Sequence, residues 1–297
     1  MNTEEEKIEK ILVEKKFEKS EVGFWVSNMH NQTILSYPEE AADHFYELEN
    51  DSWWFQHRNR CISAMVKKYH QNGCFVDLGG GNGAVTKHLR ENNIFSIVAE
   101  PGVSGARNAV QQNLNPVLNC KVEDLVSQKF QFSYVGAFDV VEHIEDDLHF
   151  LKQSAEILSE GGHLFLTVPA FSFLWSNEDV YAGHFRRYSK SEIKRLVEAS
   201  GFEVLHCTYF FSILLPIIFL FRSLPSLFFK SPTNQKLNIR NDHQKRTGLV
   251  GKIIRLSLSA EYGRLAANKN LLMGSSILLV AKKLAAVRAT HKDDQKD

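Results

Sequence analysis

At 297 residues, with 43% hydrophobic residues and a formal net charge of +0, the chain can fill one large core and lacks the basic excess of a nucleic-acid binder. Its four cysteines, Cys61, Cys74, Cys120 and Cys207, are scattered without a C-x-x-C, which argues against a zinc knuckle or a disulfide framework and fits a reducing, cytoplasmic setting. No apolar run reaches the roughly 18 residues that span a bilayer, and the opening M-N-T-E-E-E-K has no signal core.

Residues 2–20 are dense in Glu and Lys, with Ile8, Ile11, Leu12 and Phe17 at helical spacing, which predicts an amphipathic helix. Residues 21–50 show no clear period and read as an arm over the core, so 1–51 form an N-terminal unit. Next, Trp53, Trp54 and Phe55 stand beside Arg58 ahead of a helix-like Cys61–Tyr69. A guanidinium there can hold a carboxylate bidentately, or the stretch is plain aromatic packing with a solvated arginine.

Cys74 to Gly83 reads C-F-V-D-L-G-G-G-N-G, a strand (Cys74–Leu78) entering a glycine turn and then a helix, Ala84–Glu91. Glycines there permit positive φ and close approach of a ligand to the main chain. A second strand, Ile94–Glu100, ends on an acid able to accept hydrogen bonds from both ribose hydroxyls of a nucleoside. Loop and distal acid together predict a nucleoside-cofactor site. Gly79, Gly81 and Ala84 also satisfy the dinucleotide pattern G-x-G-x-x-A, so a nicotinamide-dependent oxidoreductase stays open at this point.

Further along come a helix at Gly105–Gln112, a strand at Leu118–Val122 ending on Glu123-Asp124, and a strand at Phe132–Val141 that runs into D-V-V-E-H-I-E-D from Asp139. The carboxyl ends of the first and fourth strands flank the switch-point crevice of an open α/β sheet, which brings His143 there as a general base or as a structural residue. A helix at Leu148–Leu158, stopped by Gly161-Gly162, leads to a strand at His163–Val168 and an aromatic loop with Phe171, Phe173, Trp175 and Tyr181. G-H-F-R-R-Y-S follows from Gly183, with Ser189 or Ser191 capping a helix at Glu192–Ser200. Trp175, Arg186, Arg187 and Tyr188 are the candidate substrate residues, the arginines suited to a phosphate or carboxylate.

A strand opens at Gly201, closing a core unit of 52–208. Residues 209–270 form an insertion whose apolar start, Phe210–Phe221, meets Pro216 and Pro225, so an unbroken helix is not expected. Lys236, Arg240, Lys245, Arg246, Lys252 and Arg255 follow. The insertion reads as a lid, a dimer contact, or a membrane-surface element acting through 209–229. Residues 271–285 hold a last strand, Met273–Lys283, and 286–297 read as a disordered tail.

D-x-G-x-G-x-G over Asp77–Gly83, Glu100, the E-H segment and G-H-F-R-R-Y together resemble the class I S-adenosylmethionine-dependent methyltransferases, across about residues 52–283. The resemblance implies an α/β fold: a Rossmann-like seven-stranded, mostly parallel sheet with the last strand antiparallel and helices on both faces. It implies S-adenosylmethionine as cofactor, held by Arg58, Asp77, Gly79, Gly81, Gly83, Glu100, Glu123, Asp124 and Asp139. His143 and His184 then fall on the acceptor side. No metal is expected; the alternative, from relatives with a similar E-H segment that bind a divalent ion, is a site at Asp139, Glu142 and His143. The expected reaction moves a methyl group to an oxygen of a small-molecule, lipid or glycan-type acceptor, with no nucleic-acid partner. A catalytically silent cofactor-binding protein is the other alternative.

Overall fold

Nine strands form one sheet in the computed structural model, which describes residues 3–28, 42–43, 46, 48–49, 52–228 and 248–285. They are β1 (Phe17–Lys19), β2 (Trp25–Ser27), β3 (Phe75–Leu78), β4 (Ser96–Ala99), β5 (Val117–Asn119), β6 (Phe132–Phe138), β7 (Leu158–Pro169), β8 (Phe202–Phe210) and β9 (Ser276–Lys283). In space they run β1-β2-β5-β4-β3-β6-β7-β9-β8. From β2 to β7 every pairing is parallel, and β9 lies antiparallel between β7 and β8.

Strands β3 to β9 make the expected seven-stranded sheet. The other two are a correction: an antiparallel hairpin, β1 and β2, extends the β5 edge. Phe17 and Trp25 are buried by it, on either side of a turn in which Gly23 takes φ +106°. Three-residue strands are too short to show a period, so helix and arm were the natural expectations there. The helix is α1 (Thr3–Glu14), ending before Phe17.

Alternation along the strands divides the core into two layers. Val76, Leu78, Val135, Ala137, Leu164, Leu166 and Ile277 face one layer, and Phe75, Tyr134, Phe138, Phe165, Leu278 and Val280 the other. On the second face lies α2 (Trp53–Tyr69), whose N-cap Ser52 Oγ accepts from Trp54 N at 3.2 Å. The aromatics therefore sit in its first turn, upstream of the expected start. Also on that face is α3 (Ala84–Glu91). Next come α4 (Val103–Gln111), α5 (Val122–Ser127) and α6 (Asp147–Glu156).

Two further shifts have identifiable causes. The third expected strand stops at Asn119, because Lys121 N donates to Asp124 Oδ2 at 2.8 Å and opens α5. Gly161-Gly162 is not a helix stop but lies inside β7, where the pairing with β6 shifts register. A Cβ on Gly162 would stand 2.9 Å from the Ser133 carbonyl oxygen, so the close strand approach accounts for that glycine.

Beyond α7 (Asn177–Ala182) and α8 (Lys190–Ala199), the latter capped by Ser189 and Glu192 reciprocally, the insertion begins helically. It runs α9 (Leu214–Ile218), a π-turn (Phe219–Ser223) and α10 (Leu224–Phe228). The π-turn ends two residues before Pro225, which has no N–H to give; a register change absorbs it instead of a stop. After residues 229–247, which lie outside the described ones, α11 (Gly248–Ala266) packs on α2. Glu261 of α11 binds His57 Nε2 at 2.8 Å and accepts from the N–H groups of Phe211 and Ser212, both at 2.7 Å. No helix among the described residues is long and apolar enough to cross a membrane. The expected tail, 286–297, lies outside the described residues.

Candidate active site

The glycine turn sits at the carboxyl end of β3, with Gly79, Gly81 and Gly83 all at positive φ. At Gly83 a Cβ would come 2.3 Å from Leu114 Cδ1, and at Gly79 2.9 Å from Val140 Cγ2, so these two serve packing as well as the turn. Gly81 differs: nothing lies within 4 Å of where its Cβ would stand, so its outer side is open. Across that opening, Glu100 caps β4. Its Oε2 accepts from Gly81 N at 2.8 Å and its Oε1 from Gly102 N at 2.6 Å. The acid at the strand tip is thus clamped to the loop it was expected to work with.

Between the ends of β3 and β6 lies Arg58, buried, with Nη2 donating to Phe138 O at 3.0 Å. Its Nε is 2.7 Å from Asp139 Oδ2, an ion-pair contact without hydrogen-bond alignment, and the guanidinium stands over the Trp54 and Phe55 rings. Asp139 takes φ +57°, and its Oδ1 accepts from Thr167 Oγ1 at 3.0 Å. A left-handed residue at a strand tip marks a strained and informative position. Asp77 lies beneath the loop, accepting from Thr86 Oγ1 at 2.9 Å, and burial pushes its carboxyl up to about 7.

The arm also contributes. Asn82 Nδ2 donates to Ala42 O at 2.9 Å, and burial pushes Glu49, bonded to the Asn82 side chain, up to about 7 as well. Sequence reasoning missed Ala42 and Glu49, which carry no motif. Of the two acids after the third expected strand, Asp124 is buried as the cap of α5, while Glu123 is exposed.

A second cluster lies beside the crevice. Glu142, in a 3-10 turn (Val141–His143), is buried, and its Oε2 has no hydrogen-bond partner among the described residues. Burial, followed by the nearby Asp139, raises its carboxyl well above the ordinary range. The His143 and His184 rings meet edge to face with centroids 4.6 Å apart. Ligand atoms of Glu142, His143 and His184 all lie within 4.8 Å of one another. This carboxylate with two imidazoles is a donor set a divalent transition metal accepts. Its membership differs from the alternative set: His184 takes the place of Asp139, which is turned to Arg58 and Thr167.

Asp179, which no motif announced, organises this side. Its Oδ1 holds His184 Nδ1 at 2.8 Å, and Arg187 grips both oxygens, Nε on Oδ1 at 2.8 Å and Nη2 on Oδ2 at 2.9 Å. Ser176 adds N–H and O–H donors to Oδ2 at 2.8 and 3.1 Å. Burial would raise this carboxyl, but His184 and Arg187 hold it below its usual value. The contact at Nδ1 leaves Nε2 of a neutral His184 as the acceptor nitrogen. Arg186 Nη1 donates to Asp147 Oδ2 at 2.6 Å, and the buried Tyr188 hydroxyl donates to the same oxygen at 2.9 Å. Trp175 is half-buried at the end of the preceding turn. Both loop arginines are therefore neutralised within the protein.

Burial, reinforced by the neighbouring His184, pushes His143 down to about 3, against a bond with the Gly183 backbone that acts the other way. Its ring is then uncharged at about pH 5, where an ordinary histidine is mostly protonated. Nitrogen NMR of the His143 ring, assigned through a His143→Gln control, should show one neutral tautomer across that range; a titration near 6.5 would contradict the burial.

Residues 42–207 match the family described as a methyltransferase domain. Over 101 residues the chain is 31% identical to the human mitochondrial ubiquinone biosynthesis O-methyltransferase, a match covering 31% of this chain and 27% of that protein. The match thus spans only about a quarter of that curated relative's length. Among solved structures, an S-adenosylmethionine-dependent methyltransferase from Thermotoga maritima aligns with TM-score 0.50 at 18% identity, covering 82% of this chain and 97% of that one. Phosphoethanolamine N-methyltransferase 2 of Haemonchus contortus, solved with S-adenosyl-L-methionine, aligns with TM-score 0.51 at 13% identity, covering 84% and 58%. At these identities the structural likeness is one of fold.

Proposed function

The chain belongs to the class I S-adenosylmethionine-dependent methyltransferases, and on that premise we propose that it methylates an oxygen nucleophile of a small-molecule, lipid or glycan-type acceptor, with His184 taking the acceptor's proton. The observation that carries the proton transfer is the Asp179–His184 contact of 2.8 Å beside the crevice. Asp179 fixes the ring and its tautomer, so Nε2 is presented as a base. The human relative is itself an O-methyltransferase, which supports the oxygen reading.

When bound, S-adenosylmethionine supplies a methyl group on a sulfonium that is already a good leaving group. The protein's own part is alignment, desolvation and proton removal. The open side of Gly81 and the Glu100 carboxylate fit a ribose. Asp77 and Glu49, both pushed up by burial, fit a neighbouring cation, whose arrival would favour their charged forms. Arg58 with Asp139 fits the amino-acid end of the cofactor.

Calorimetry on Glu100→Ala tests the cofactor side. Losing a charged partner for the ribose, and the clamp on Gly81, should weaken binding by about 1–3 kcal/mol. Unchanged affinity would remove Glu100 from the site. A panel of hydroxyl and amine acceptors, read by adenosylhomocysteine release, tests the oxygen assignment.

A second reading is favoured by the partnerless Oε2 of Glu142: the Glu142, His143 and His184 cluster holds a divalent cation that orients the acceptor. Activity lost on chelation and restored by added metal supports it; activity indifferent to chelation leaves His184 as the base.

A further inference from the structure

The insertion carries a charge and apolar pattern that methyl transfer does not explain. Within 209–270 there are ten Lys and Arg residues against two acids, Asp242 and Glu261, in a chain whose overall charge is balanced. Glu261 is buried against His57, so it offers no negative charge at the surface.

The same unit exposes several large apolar side chains. Phe221 is 74% and Phe228 75% exposed, with Leu220, Phe219 and Leu224 beside them. Leu220, Leu224 and Phe228 recur at four-residue steps, the spacing of one helix face. Phe173, from the loop after β7, joins them, its ring 5.9 Å from that of Phe219 and itself half exposed. On α11 the exposed Ile253 and Leu256 alternate with the exposed Lys252 and Arg255. An exposed apolar stripe this concentrated marks an interaction surface.

This surface is fastened to the site. Ser223 Oγ donates to Leu174 O at 2.8 Å, and Asn177 N donates to Ser226 Oγ at 3.1 Å. Asn177 opens α7, the helix that carries Asp179 and so holds His184.

We propose that the face formed by Phe173 and residues 219–228 docks on an anionic phospholipid surface, with its aromatic side chains in the headgroup boundary and the basic composition of the insertion favouring negative lipid. Aromatic and aliphatic side chains supply the burial, and Lys and Arg supply the preference for negative lipid. Docking there brings the substrate side of the crevice to the membrane, which selects an acceptor that resides in the bilayer. The inference deepens the methyl-transfer reading by naming where the acceptor is met, but membrane docking needs no turnover and is tested separately.

Co-sedimentation with vesicles of phosphatidylcholine alone, and of phosphatidylcholine mixed with phosphatidylglycerol, reads the docking directly. The intact chain should sediment with the mixed vesicles only, and high salt should release it. Phe221→Ser with Phe228→Ser should weaken vesicle binding by about tenfold or more while adenosylmethionine binding, followed in parallel by calorimetry, stays unchanged. Lys252→Glu, which alters charge and no packing, should weaken it less and in the same direction. Absence of binding to the mixed vesicles, or binding that the double variant leaves intact, overturns the proposal. So does a sedimentation coefficient showing a dimer that the double variant dissociates, since the face would then be covered by a second copy. A chain that docks but methylates nothing would instead overturn the acceptor reading and leave docking standing.

Discussion

Asp179→Ala is expected to cost about 3–5 kcal/mol of folding stability, the scale for removing one partner of a buried ion pair. Asp179 is 1% exposed and the Arg187 side chain 10%, so the substitution leaves a desolvated guanidinium facing a hole. Four further contacts fall with it: the second Arg187 bond, both Ser176 donors and His184 Nδ1. Urea denaturation of variant and parent gives the number. Asp179→Asn should cost less, since the amide oxygen still accepts from one donor. A loss under about 1 kcal/mol in the alanine variant would mean that Arg187 finds solvent or another acceptor, and that the loop is looser than its geometry implies.

His184→Gln is the second large effect. Glutamine keeps a polar side chain near the acceptor but cannot take a proton, so turnover should fall by about 10²–10⁴ with cofactor affinity nearly intact. A variant with full turnover would show that the acceptor arrives already anionic, or that His184 only positions its neighbours.

The glycine turn and its acid were legible in the sequence because their pattern is local. A glycine turn after a strand and an acid at the next strand tip each need only a few consecutive residues to be recognised. The acceptor side was less legible. Arg186 and Arg187 look alike in a string, and only the fold shows both turned inward, one to Asp147 and the other to Asp179. Asp179 sits in an unremarkable N-E-D-V, and its importance arises from Ser176, His184 and Arg187 converging on it. The β1–β2 hairpin escaped because pairing with β5, not periodicity, makes those residues strands. Glycines misled once: Gly161-Gly162 has the look of a helix stop but answers a close approach within β7.

Among the described residues β8 pairs with β9 alone, and the entire insertion lies between them, returning so that Phe210 opposes Ser276. During translation β8 therefore emerges seconds before the strand that completes it, at a typical pace of about 5–20 residues per second. For that interval a nascent chain displays a ladder of unpaired amides next to Phe210, Phe211 and the apolar helix that follows. Chains halted within the insertion should thus be clients of chaperones or prone to self-association, whereas damage after β9 should be comparatively harmless.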